Sequence, residues 1–146
     1  MIIAVSTFLL LSGCGSEPAP APPAEPAAVK APDGPPGADG PEAIPVPEFE
    51  VSADPTVVAR GSRVFETRGC GACHQFGSRL VGPDLAGVTT RRTPKWIARQ
   101  VLFPERMTRE DPVAKQLFAE LMVQMTNQRV DPSEIGPLVS FLATHP

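Results

Sequence analysis

The residues of this chain best suited to chemistry are Cys70, Cys73 and His74, which follow one another in the order Cys-x-x-Cys-His. Two thiols at this spacing support dithiol redox exchange, zinc binding or covalent attachment of haem. A histidine directly after the second cysteine is typical of haem attachment, in which the thiols add to the two vinyl groups and the imidazole binds the iron. The motif predicts haem c, with His74 as the proximal ligand.

The two competing chemistries need sequence features that the chain does not show. A thioredoxin-like dithiol lies near a β-α-β pattern, and no alternating strand pattern is evident around the motif. A zinc site needs a second pair of ligands, and His145 is the one remaining histidine. Both chemistries therefore rank below haem attachment.

Four helix starts are predicted around this motif, because aspartate or threonine caps a helix well and proline is favoured at the first helical position. Apolar residues recur at helical spacing after each start, which predicts an all-α domain over residues 54–146. A domain of about 93 residues is marginal by burial alone, and an apolar cofactor would add to its core. The four starts are Asp54-Pro55, Thr93-Pro94, Asp111-Pro112 and Asp131-Pro132.

Residues 54–146 resemble the class I cytochrome c family. The resemblance rests on a first helix with Gly61 and Phe65, the cysteine–histidine motif, the stretch Gly82-Pro83-Asp84-Leu85 and a methionine loop before the last helix. It implies a small cytochrome c fold of about four to five helices around one covalently bound haem c. It also implies that Phe65 packs on Phe141 where the first and last helices cross.

The resemblance implies a methionine as the second iron ligand. In the family this methionine precedes the cap of the last helix by about six residues, and Met125 precedes Asp131 by six. Met125 is therefore the predicted ligand, although Thr126 follows it where the family usually has proline. Met122 is the nearest rival and would otherwise fill the core. The remaining candidates are Met107 and His145, the latter expected as a solvated terminal residue.

Three further residues receive a role from the resemblance. The carbonyl of Pro83 would accept a hydrogen bond from the second ring nitrogen of His74 and so orient the imidazole; an ordinary loop turn is the alternative. Leu85 would face the haem. Trp96 would donate its indole N–H near a haem propionate, or would serve only as a core residue.

The first 14 residues resemble a bacterial lipoprotein signal. Residues 2–11 form an apolar run too short to span a bilayer but suited to a signal peptide. The run ends in Leu11-Ser12-Gly13-Cys14, which is similar to the lipobox that is cleaved before a lipid-carrying cysteine. We expect residues 1–13 to be a signal peptide, Cys14 to be lipidated and the protein to be exported. An ordinary signal peptide is the alternative.

Composition divides the rest of the chain at residue 54. Residues 15–53 hold 11 of the 19 prolines and a net charge of −6, whereas residues 54–146 carry +3. The proline-rich, acidic composition of residues 15–53 predicts that residues 14–53 are a disordered tether between the membrane and the domain. The net charge of −3 argues against nucleic-acid binding. The basic excess of the domain either steers it to an acidic partner or lies on solvated helix faces, with a few arginines near the haem propionates.

A haem with histidine and methionine as axial ligands has no open site for a substrate and is suited to one-electron transfer. The expected function is a lipid-anchored monohaem cytochrome c on the extracytoplasmic side of a membrane. It would pass electrons between redox proteins or within a membrane respiratory complex, without a small-molecule substrate. The alternatives are a haem sensor or peroxidase-like enzyme, in which Met125 leaves the iron, and a thiol redox protein without haem.

Overall fold

The computed structural model describes residues 38–146. The predicted signal peptide, Cys14 and the first part of the predicted tether lie outside this range. The described part of the chain is helical and contains no β-strand. Within it, no helix is both long and apolar enough to cross a membrane. The helices are α1 (Pro55–Thr67), α2 (Val88–Arg91), α3 (Pro94–Leu102), α4 (Pro104–Glu110), α5 (Pro112–Leu121) and α6 (Ile135–Leu142), with 3₁₀ turns at Cys70–Ala72 and Pro132–Glu134.

All four predicted helix starts are confirmed, and each is capped by the predicted side chain. The carboxylate of Asp54 accepts hydrogen bonds from the first turn of α1, and Thr93 and Asp111 cap α3 and α5 in the same way. Asp131 forms a reciprocal capping box with Glu134 on the 3₁₀ turn that leads into α6. The short helices α2 and α4 were not predicted; α4 follows α3 directly and begins at Pro104 without a side-chain cap.

The first and last helices cross, as the resemblance implied, and the crossing lies at Gly61. A Cβ at this position would lie 2.0 Å from the main-chain oxygen of Pro137, so only glycine permits the approach. Phe65 and Phe141 pack beside the crossing with their ring centroids 5.5 Å apart. The core beneath them is built mainly from α6 and α3, including the fully buried Ile135 and Val139.

The expectation that the chain is a disordered tether up to residue 53 does not hold for residues 38–53. Ile44 is fully buried in the domain core, and Val46 and Phe49 pack against that core. Ser52 donates its main-chain N–H to the hydroxyl of Ser140 in α6 at 3.0 Å. The proline-rich composition concealed this packing, because a few apolar residues suffice when the domain provides a complementary surface. The folded unit therefore begins before Asp54.

Candidate functional site

An apolar cavity of about 260 Å³ lies between α1, α3, α5 and α6 and the loops that join them. Its walls are mostly side chains from the core, such as Ile97, Leu117 and Leu138. Every site residue predicted from the sequence within the domain lines this one cavity. These residues are Cys70, Cys73, His74, Pro83, Leu85, Trp96 and Met125.

The cysteine–histidine motif forms a tight turn at the cavity wall. Gly69 takes a left-handed conformation with φ of 71°, which ends α1 and starts the 3₁₀ turn. The N–H groups of Cys73 and His74 both donate to the carbonyl of Cys70, at 3.2 and 3.0 Å. The turn thereby brings two free thiols and one imidazole to the same cavity. Burial raises the pKa of the Cys70 thiol, with a smaller contribution from Cys73.

The imidazole of His74 is oriented by the loop over residues 82–83. Its Nδ1 lies 3.0 Å from the carbonyl oxygen of Pro83, the hydrogen bond that the resemblance implied. Gly82 packs so closely against the ring that a Cβ there would lie 2.5 Å from Cε1 of His74. With Nδ1 engaged, Nε2 is the ring nitrogen available to a metal. Burial lowers the pKa of His74, which favours the neutral imidazole that a metal requires.

Of the three methionines in the described residues, only Met125 lines the cavity. Gln100 of α3 approaches its sulfur, with Nε2 3.6 Å from Sδ. Met122 ends α5 in a left-handed conformation and is 78% exposed, so it neither lines the cavity nor fills the core. Met107 is fully buried in the core. The geometry thus places one thioether and one imidazole in the same cavity.

His145 is not a solvated terminal residue. Its ring stacks on Phe76 with centroids 3.7 Å apart and meets Phe141 edge to face. Its Nδ1 lies 3.1 Å from the carbonyl oxygen of Phe141. These contacts give His145 a packing role at the end of α6, and it is not among the residues that line the cavity.

Two buried polar atoms at the cavity have no hydrogen-bond partner within residues 38–146. They are Nε1 of Trp96 and Oε1 of Gln100, one helical turn apart on α3. Such atoms are costly to bury unless a bound group completes their hydrogen bonds. A haem fits the cavity's chemistry: apolar walls for the macrocycle, two thiols for its vinyl groups, an imidazole and a thioether for its iron, and an indole donor for a carboxylate.

Arginines surround the same end of the cavity. The guanidinium of Arg92 lies 5.3 Å from the ring centroid of Trp96, in cation–π range. Arg91 donates to the main-chain carbonyls of Ala86 and Asp84 and so holds the loop that follows Pro83. The sequence placed Arg91 and Arg92 only among the basic residues of the domain as a group, and it assigned no role to Gln100. For Gln100 a signal was available, since it lies four residues after Trp96 and therefore on the same helix face.

The structure gives little support to the two other chemistries of the motif, zinc binding and dithiol redox exchange. No group of three or more histidine, cysteine, aspartate or glutamate side chains is arranged to hold a metal ion in the described part of the chain. The β-α-β unit that accompanies a thioredoxin-like dithiol is also missing there, since residues 38–146 contain no strand. Haem attachment remains the chemistry that the surroundings match.

Comparison with known proteins agrees with this chemistry. Residues 58–146 match the family model described as cytochrome c. A cytochrome c from Rhodothermus marinus is 31% identical, with 68% of this chain and 87% of that chain covered and a TM-score of 0.64. An engineered form of that protein gives 30% identity over 68% and 88% of the two chains, with a TM-score of 0.63. The cytochrome c domain of the pp3183 protein from Pseudomonas putida is 35% identical over 57% and 85%, with a TM-score of 0.52. A search of curated proteins returned no match.

Proposed function

Because this chain belongs to the cytochrome c family, we propose that it is a membrane-tethered monohaem electron-transfer protein with His74 and Met125 as the two axial ligands of the iron. Family membership implies covalently bound haem c, which supplies reversible one-electron transfer when bound. The observation that carries the proposal is that an imidazole and a thioether line one cavity, each approached by a polar partner from another segment.

The residues around the two ligands hold them in place. The Pro83 carbonyl keeps His74 in one tautomer and raises the basicity of its free nitrogen. The amide of Gln100 positions the Met125 sulfur. Cys70 and Cys73 would attach the haem next to His74, because one turn holds all three residues. With His74 and Met125 both bound to the iron, no site would remain there for a substrate or oxygen, and the haem would supply one-electron transfer.

Redox partners would approach the mouth of the cavity, where the exposed surface is apolar. Val81, Phe118 and Val123 line the cavity and are 40–43% exposed. Leu80 and Met122, next to them in sequence, are also exposed. Short-lived electron-transfer contacts are small, and an apolar rim of this kind suits a partner with an uncharged apolar patch.

A uniformly basic docking face is less well supported, because several of the domain's basic side chains are engaged within the fold. Arg68 forms an ion pair with Glu134 at 2.8 Å, and Arg106 forms one with Glu110 at 3.0 Å. Arg91 and Arg99 donate to main-chain carbonyls. Because the exposed mouth of the cavity is apolar, we expect the rate of electron transfer to the partner to depend weakly on ionic strength. A steep decline with added salt would restore the steering hypothesis.

Membrane attachment in this proposal depends on Cys14, with the haem domain on the extracytoplasmic side. Since the packed part of the chain includes Ile44, the tether is shorter than composition suggested. Replacing Cys14 with serine should move the protein from the membrane fraction to the soluble fraction. If the variant stayed in the membrane fraction with no partner complex present to hold it, lipidation would be contradicted.

Carbon monoxide binding tests whether the iron has a free position. The ferrous holoprotein at neutral pH should bind carbon monoxide slowly or not at all, because Met125 occupies the site. Rapid binding to the native protein would contradict the carrier function and favour the sensor or peroxidase-like alternative. A separate experiment, co-purification from detergent-solubilised membranes, would distinguish a mobile carrier from a subunit of a redox complex.

A further inference from the structure

The segment before α1 contains a strap, residues 39–46, that lies across α3. Its middle forms a turn in which the N–H of Ile44 donates to the carbonyl of Pro41 at 3.0 Å. The Ile44 side chain is fully buried in the core. The strap thus makes specific contacts with the domain, although its sequence is rich in proline and acidic residues.

Arg99 holds the strap on both sides of this turn. Its Nε donates to the carbonyl of Ile44 at 2.8 Å, and its Nη1 donates to the carbonyl of Asp39. The Arg99 side chain is only 7% exposed. A buried guanidinium requires acceptors for its donors, and here main-chain carbonyls far away in sequence supply them. Arg99 and the strap therefore stabilise each other.

Between its two contacts with Arg99, the strap lies directly against Trp96. Gly40 has a φ of +80°, and a Cβ on it would lie 3.3 Å from Cδ1 of Trp96 and 3.3 Å from Cε of Met107. Cδ1 is bonded to Nε1, so Gly40 covers the indole beside its N–H group. That N–H group is buried and has no acceptor in the described residues, while Trp96 also lines the cavity.

We propose that the strap keeps water from the indole of Trp96, and that Arg99 is the positioning residue that keeps the strap in place. Trp96 separates the strap from the cavity, because none of the strap residues lines it. The strap therefore acts on the haem site through Trp96. Protection from water leaves the indole N–H free for a carboxylate of the bound group and lowers the local dielectric.

A drier haem site disfavours the additional positive charge of the ferric state, so the strap should raise the reduction potential. This part of the inference rests on the proposed electron-transfer function. The protection of the indole itself does not, since it concerns only contacts between the strap and α3.

The test uses the ferrous, ¹⁵N-labelled holoprotein. Trp96 is the only tryptophan, so a single indole N–H signal reports its exchange with solvent. Arg99→Leu removes both hydrogen bonds to the strap and should accelerate indole exchange by roughly tenfold or more. Gly40→Ala adds a Cβ 3.3 Å from Trp96 and from Met107 at a residue with positive φ, so it should displace the strap and accelerate exchange in the same direction. Both variants should have lower reduction potentials.

Arg106→Leu is the matched control. Arg106 also approaches the strap, at 3.5 Å from the carbonyl of Ala43, but it is bound mainly to Glu110 and is partly exposed. Its replacement should leave both indole exchange and the potential unchanged. If Arg99→Leu does not fold, Gly40→Ala and Arg99→Lys decide the result.

Indole exchange at the wild-type rate in the Arg99 and Gly40 variants would overturn the proposal. Faster exchange with an unchanged potential would overturn its second part, the effect of the strap on the haem site. Failure of the proposed His/Met ligation would be separately visible, because the wild-type ferric protein would then lack the methionine–iron charge-transfer band.

Discussion

Gly82→Ala should disturb His74, the proposed proximal haem ligand, by crowding its imidazole ring. The new Cβ would lie 2.5 Å from Cε1 and 2.8 Å from Nδ1 of His74, whereas ordinary contacts begin near 3.4 Å. The imidazole or its loop must therefore move by roughly 1 Å, enough to break the hydrogen bond between Nδ1 and the Pro83 carbonyl. Overpacking costs about 1–3 kcal/mol and the lost hydrogen bond about 1 kcal/mol, which predicts a destabilisation of about 2–4 kcal/mol.

Guanidinium unfolding of the ferric holoprotein measures this loss of stability. Potentiometry on the folded variant should show a lower reduction potential, because His74 is misoriented. Gly71→Ala is the matched control within the motif. Its Cβ would meet only Cε1 of Phe65, at 3.5 Å, which is an ordinary contact. The free energy of unfolding should therefore change by no more than about 0.5 kcal/mol. A Gly82→Ala protein as stable as the Gly71→Ala protein, with the wild-type potential, would refute the positioning of His74 described above.

Three further predictions concern the core, the methionine and acid stability. Ile44→Ala should lower the free energy of unfolding, measured by thermal unfolding, by about 2–5 kcal/mol, because Ile44 is fully buried. Val51→Ala should cost little, because Val51 is 44% exposed. Equal losses in the two variants would contradict the packing of the strap. Gln100→Leu should raise the apparent affinity of added imidazole, which replaces Met125, by up to about tenfold in a spectroscopic titration. An unchanged affinity would show that the Gln100 amide does not hold the Met125 sulfur. Hydrogen bonds from Ser133 lower the pKa of Asp131 below its ordinary 3.8, so its contribution to stability is present above that pH and is lost as the pH falls through the lowered pKa. Melting temperatures between pH 2 and 5 should therefore decline less steeply in Asp131→Asn, and parallel declines would contradict this role.

Local signals made the helices and the motif predictable. A helix cap needs only the residues of one turn, so Asp54, Thr93, Asp111 and Asp131 could be assigned as helix starts without knowledge of the fold. The same holds for the cysteine–histidine motif, whose chemistry depends on neighbours in sequence. The placement of Pro83, Leu85 and Met125 at the cavity needed the family resemblance, because these residues meet His74 only in three dimensions.

Non-local contacts account for what was missed. The packing of Ile44 depends on Arg99, which lies 55 residues further along the chain, and composition alone favours disorder for the surrounding prolines and acidic residues. Gln100 could have been placed on the face of Trp96 by helical spacing, yet its partner Met125 is 25 residues away. His145 was expected in solvent because the stacking partner Phe76 lies near the motif, far from the last helix in sequence.

Met125 is the proposed second iron ligand, and comparing Met125→Ala with Met122→Ala tests this most directly. In the ferric holoprotein, Met125→Ala should abolish the methionine–iron charge-transfer band, lower the reduction potential and allow the ferrous form to bind carbon monoxide rapidly. Met122→Ala should retain the wild-type spectrum, because Met122 is 78% exposed and does not line the cavity. Retention of the band in Met125→Ala, or its loss in Met122→Ala, would contradict the proposed site.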